Sequence, residues 1–140
     1  MSMGFSIEDD CFAIRQAARY VSQLYDRHLA KVGLTTTQFS IMCKLRHGTR
    51  VTMKQMADMM VMERTTLVRA IQPLQRDGLL FSEAFAPDRR VLSIGLTEAG
   101  MNRLVAAKVH WHAAQDEFER RFGEERAASL RHELFDMTKG

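Results

Sequence analysis

A chain of 140 residues, 46% of them hydrophobic, holds enough apolar material for one core and is expected to form one domain, 1–140. No run approaches the roughly 18 uninterrupted apolar residues of a membrane span, and Glu8, Asp9 and Asp10 are unlike the basic and apolar blocks of a signal peptide, so a cytoplasmic location is expected. The net charge of +3 is unevenly placed: residues 44–90 hold nine Lys and Arg against five acids, and the remainder eleven against twelve, which fits a middle third that faces phosphates or a merely basic surface.

In chain order, Ile7, Cys11, Ile14, Ala18, Val21 and Tyr25 alternate steps of four and three and mark a first helix from about residue 9 to 31, ended by Gly33. Thr35 with Gln38 three residues later is a capping box, starting a second helix that buries Phe39, Ile41, Met42 and Leu45 and stops at Gly48. Thr52 with Gln55 repeats that signature before a short helix carrying Met53, Met56, Ala57 and Met60. The pattern restarts at Glu63 and runs to Asp77 through Leu67, Ala70, Ile71 and Leu74, with Gly78 as its stop and Pro73 expected to distort it past its first turns. Two short helices joined by a tight turn make a helix-turn-helix.

From Leu79 to Leu96 the period shortens to two, with Pro87 and Asp88 at a turn, which predicts a hairpin burying Leu92, Ile94 and Leu96 and carrying Asp88, Arg89 and Arg90 at its tip. Thr97 caps a long helix marked by Met101, Leu104, Val105, Trp111 and Phe118 out to about Phe122. Gly123 breaks it, and Ala127, Leu130, Leu134 and Met137 mark a last helix. The fold class is therefore mainly α with a small β-hairpin wing. The terminal helices are amphipathic over more length than the middle of the chain can cover, so a second copy of the chain is expected against them.

Catalytic and metal chemistry find little support. No phosphate-binding glycine loop, zinc-ligand helix or serine elbow is present. His110 and His112 lie on different sides of one helix, His28, His47 and His132 have no ligand spacing, and the five methionines between Met53 and Met62 read as adaptable packing, so neither metal nor cofactor is expected. Cys11 and Cys43 have no disulfide-framework or zinc-finger spacing.

The constellation that carries function is cationic. Arg64, Thr65, Thr66 and Arg69 sit in the first turns of the second helix of the pair, where arginine can bond guanine bidentately and threonine offers a hydroxyl and a methyl; the bland alternative is a solvated helix face. Arg89 and Arg90 on a protruding tip suit a narrow minor groove, with Asp88 able to orient one of them, unless the pair is only a surface ion pair worth under about 1 kcal/mol.

The run Glu63-Arg64-Thr65-Thr66-Leu67-Val68-Arg69, then Leu74-Gln75-Arg76-Asp77-Gly78-Leu79, then Asp88-Arg89-Arg90 and Leu96-Thr97-Glu98-Ala99-Gly100, resembles the multiple antibiotic resistance regulator (MarR) family over nearly the whole chain. The resemblance implies a homodimeric winged helix-turn-helix repressor on pseudo-palindromic double-stranded DNA. Residues 35–97 would be the DNA-binding lobe and 1–34 with 98–140 the dimerisation helices. Arg90 would be the wing-tip arginine and Asp88 its orienting partner. Val61 stands where the family often has glycine, and Glu63 where aspartate is usual.

Two effectors are in view. Cys11-Phe12-Ala13 followed by Tyr25 resembles the organic hydroperoxide resistance subgroup, which implies an oxidisable thiol paired with the partner subunit's tyrosines; Arg15 and Thr36 stand where other tyrosines are expected. Roughly 21 Å of helix separates Cys11 from Tyr25, so a contact between them has to cross subunits. Alternatively, Tyr20, Tyr25, Phe39, Met42 and Trp111 line a pocket for an aromatic or phenolic ligand, or are ordinary core. The competing functions are a winged-helix module that docks proteins and a non-specific DNA-coating protein; cations on both helix and wing favour DNA.

Overall fold

The computed structural model describes residues 8–139. Helix α1 (Asp10–Leu29) starts at Asp9, whose carboxylate accepts the Phe12 N–H at 2.7 Å, and runs through a short 3-10 turn (Ala30–Val32) to Gly33 at φ 72°. Its stripe is only partly buried. Ile7 lies outside the described residues, Cys11, Ile14 and Ala18 are exposed, and the fully buried side chains are Leu24 and Leu29. The first half of α1 borders an open groove, while its second half lies against a later helix.

Both capping boxes form. Thr35 and Thr52 each accept the N–H three residues on at 3.1 Å, and Gln38 and Gln55 return the bond to the threonine N–H at 3.0 and 2.8 Å, starting α2 (Thr36–Lys44) and α3 (Met53–Met60). Helix α2 ends at Lys44, earlier than expected, because a separate 3-10 turn (Arg46–Gly48) carries the chain to Gly48. Val61 ends α3 in the left-handed region at φ 51°, ψ 50°, where a β-branched side chain is strained, and is 73% exposed. Helix α4 (Arg64–Arg76) follows at once and buries Leu67, Ile71 and Leu74. It runs through Pro73, which supplies no N–H for the carbonyl one turn back.

The wing is not an isolated hairpin. Strands β2 (Leu80–Phe85) and β3 (Asp88–Leu96) pair antiparallel, and a two-residue strand β1 (Val51–Thr52) adds to the other edge of β3, giving the order β1-β3-β2. Two residues are too few to show strand alternation in sequence. Ile94 is buried as expected, but the expected burial of Leu92 is corrected: it is 52% exposed, and Ser93 and Gly95 are buried beside Ile94. Only the root of the hairpin rests on the core, so the outer half has nothing to bury against. Gly95 leaves room there for the Phe81 ring, which a Cβ would meet at 2.7 Å and force to shift.

Helix α5 (Glu98–Phe122) begins at Thr97, which accepts the Gly100 N–H at 3.0 Å and donates its hydroxyl to the Gly78 carbonyl at 2.6 Å. Gly123, at φ 106°, turns the chain into α6 (Glu124–Thr138). The core joins Leu29, Leu34, Phe39, Ile41, Met42, Leu45, Met56, Leu67, Ile71, Leu74, Leu79, Leu80 and Ile94 under the inner faces of α2, α3, α4 and the sheet. On α6 only Ala127 is buried; Leu130, Leu134, Phe135 and Met137 are exposed. Among the described residues no helix is long and apolar enough to cross a membrane.

Candidate nucleic-acid interface

Burial of Leu67, Ile71 and Leu74 fixes the rotation of α4 and turns the opposite side outward. That side carries Thr65, Arg69, Gln72 and Arg76, at steps of four, three and four, with Thr66 on its flank, while Arg64 stands at the open first turn in line with Ile71; all six are exposed. Arg64 and Arg69 have no ion-pair or hydrogen-bond partner among the described residues, whereas Arg76 meets Asp77 at 3.5 Å. Gln72 and Arg76 escaped the sequence reading, which stopped at the first turns; the spacing from Arg69 would have found them.

At the start of α4, Glu63 makes no side-chain capping bond. The first-turn N–H groups are therefore left to other acceptors. At the wing tip, Asp88 accepts three bonds from Arg90: the backbone N–H at 3.1 Å, Nε at 3.2 Å and Nη2 at 3.3 Å. These bonds, the side-chain one first, hold the Asp88 carboxyl below the usual range. The fork limits the directions open to the Arg90 guanidinium, whose side chain is still 91% exposed. Arg89 is exposed and has no partner among the described residues. At the wing root Arg50 pairs with Glu83 and lies over the Phe81 ring at 5.1 Å, an arrangement the sequence did not suggest.

The effector candidates fall in different places. Ala13, Ile14, Val21 and Tyr25 of α1, Trp111 and Phe118 of α5, and Leu130, Arg131 and Leu134 of α6 line a largely apolar groove of about 660 Å³. Of the pocket set, Tyr25 and Trp111 line it. Phe39 stands behind, its ring 6.2 Å from Trp111 and stacked on it. Met42 is core and not pocket lining, as its place in the buried set of the second helix implied, being fully buried on the inner face of α2, and Tyr20 points away, its hydroxyl accepting from Arg121 at 3.0 Å. Tyr25 donates its hydroxyl to Gln115, and burial, then Glu119, pushes its pKa up. Cys11 is exposed; Cys43 is half-buried and its thiol is pushed up by burial.

Helices α1 and α5 are tied by a second cluster. His28 Nε2 lies 2.8 Å from Glu117 Oε1, and Arg121 lies 2.8 Å and Arg27 3.9 Å from Glu117 Oε2. The His28 bond is the main cause of a lowered Glu117 pKa.

The MarR family model matches residues 34–92. Two curated relatives from Bacillus subtilis (strain 168) are 26% identical: the HTH-type transcriptional regulator MhqR over 91 residues, 65% of this chain and 63% of that protein, and the organic hydroperoxide resistance transcriptional regulator over 90 residues, 64% and 61%. The chain thus spans less than two thirds of the length of these relatives. Among solved structures, the M. tuberculosis transcriptional regulator MosR in complex with DNA is 35% identical, covers 94% of this chain and 95% of its own, and superposes with a TM-score of 0.83.

Proposed function

The chain belongs to the MarR family, and on that premise we propose that it is a sequence-specific, homodimeric DNA-binding repressor, with residues 35–97 as the DNA-binding lobe and 1–34 with 98–140 as the dimerisation helices. The observation that carries the DNA reading is the placing of cations without a partner among the described residues, Arg64 and Arg69 on α4 and Arg89 on the wing, beside the oriented Arg90. A surface built only to dock protein has no use for cations on both elements, and counterion release makes phosphate contact the natural role for them. The recognition helices would enter successive major grooves, and the wings the flanking minor grooves. Dimerisation would cover Ile14, Leu130, Leu134, Phe135 and Met137.

Derepression would act either through the groove, by a small aromatic or phenolic ligand against Tyr25 and Trp111, or outside its lining, by oxidation of Cys11. Exposure of Cys11 meets the access requirement for the second route.

Binding of duplexes from the surrounding genomic region, followed by fluorescence anisotropy against random competitor, tests the central reading. Wild-type protein is expected to prefer one fragment, and Arg90→Ala to weaken binding and lower the salt slope by about 1. Equal affinity for random duplexes supports a DNA-coating protein instead, no binding at low salt supports a protein-docking module, and an unchanged slope removes the wing assignment.

A further inference from the structure

Resting on the DNA-binding reading above, we propose that Gln72 is a base-reading residue specific for adenine. The rotation of α4 places it on the outward face between Arg69 and Arg76, about 12 Å along the axis from the start of the helix. Those two cations, three residues before it and four after, suit phosphates or a neighbouring guanine, and they bracket a neutral side chain whose amide is free. Gln72 has no hydrogen-bond partner among the described residues. Gln75, the other glutamine of this helix, is by contrast engaged, donating to Ser82.

The chemistry follows from the amide. Its Nε2–H donates to adenine N7 while its Oε1 accepts from the adenine N6 amino group, a two-bond match in the major groove. Guanine keeps N7 but presents an acceptor at O6, so Oε1 would face a second acceptor and lose that bond. Adenine is thus preferred by both attraction and repulsion. A partnerless, exposed glutamine contributes little to the fold, so replacing it leaves the lobe intact.

Selection from a randomised duplex library with wild-type protein and with Gln72→Ala tests the assignment. The wild-type consensus is expected to hold an adenine in each half-site that Gln72→Ala no longer enriches. Replacing that adenine with 7-deazaadenine, which lacks N7, is expected to weaken wild-type binding by about tenfold and Gln72→Ala by less than about twofold. The salt slope of the variant is expected to match wild type, since no phosphate contact is lost. If both proteins enrich the same consensus, or 7-deazaadenine weakens both equally, Gln72 does not read adenine. If wild-type protein enriches no duplex, the DNA-binding reading fails and takes this assignment with it; a consensus without any Gln72 dependence overturns the assignment alone.

Discussion

Gly100→Ala is expected to be the most damaging single methyl addition at the junction between the sheet and α5. A Cβ at this position would run into the Leu79 carbonyl oxygen and lie 3.0 Å from both the Leu79 carbonyl carbon and Leu96 Cδ2. The obstacle is backbone and cannot rotate away, so the start of α5 has to lift. Three bonds sit within that lift: Thr97 N–H to the Leu79 carbonyl at 3.1 Å, the Thr97 hydroxyl to the Gly78 carbonyl at 2.6 Å, and the Gly100 N–H to Thr97 Oγ1 at 3.0 Å. Overpacking costs about 1–3 kcal/mol, and weakening a cap with its neighbouring bonds about 1–2 kcal/mol more. The sum, about 2–5 kcal/mol, is a large share of a stability of about 5–15 kcal/mol. Gly78→Ala is the internal control. Gly78 has φ 74° and no atom within 4 Å of a built Cβ, so only the left-handed penalty of about 1–2 kcal/mol applies. Urea unfolding at one fixed protein concentration reads the contrast, with an expected midpoint difference of about 1 M for a slope of about 2 kcal/mol/M. A Gly100→Ala protein that unfolds at or above the midpoint of Gly78→Ala would refute the account of this junction.

Val61→Gly should raise stability by about 0.5–1 kcal/mol: relief of a β-branched residue at φ 51° outweighs the added chain entropy, and little burial is lost at 73% exposure. A lowered urea midpoint with an unchanged slope would count against strain at this turn. The α1–α5 cluster makes stability depend on pH. The Glu117 carboxyl is held below its ordinary range by His28, so its contribution is fully present above the unfolded-state pKa and is lost as pH falls through the lower folded-state value. Stability measured from about pH 6 downward is therefore expected to fall less steeply in Glu117→Gln than in wild type below about pH 5; parallel profiles would show that Glu117 is not the group responsible.

Much of the fold was legible because its signals are local. Thr35 with Gln38 and Thr52 with Gln55 bond within four residues, so their spacing alone located two helix starts. Gly33, Gly78 and Gly123 adopt positive φ at the helix ends they were expected to mark. Strand β1 was not legible, since two residues carry no period, and its pairing of Val51 with Ile94 spans distant parts of the chain. The same limit hid the Arg50–Glu83 pair and the ties from α1 to α5.

The candidate interface divides the same way. Residue types and order placed Arg64, Thr65, Thr66 and Arg69 on one helix and Asp88, Arg89 and Arg90 at one turn, because helix periodicity and turn chemistry are properties of short segments. Packing alone decided which of those side chains are free. Burial of Leu67, Ile71 and Leu74 sets the rotation of α4 and so turns Gln72 outward, while the distance of the wing tip from the core exposes Leu92 and leaves Arg90 to its Asp88 fork. It also decided between the two readings of Met42 in favour of core and took Tyr20 out of the groove, since a helical stripe specifies a face and the neighbours that face meets depend on how distant segments pack.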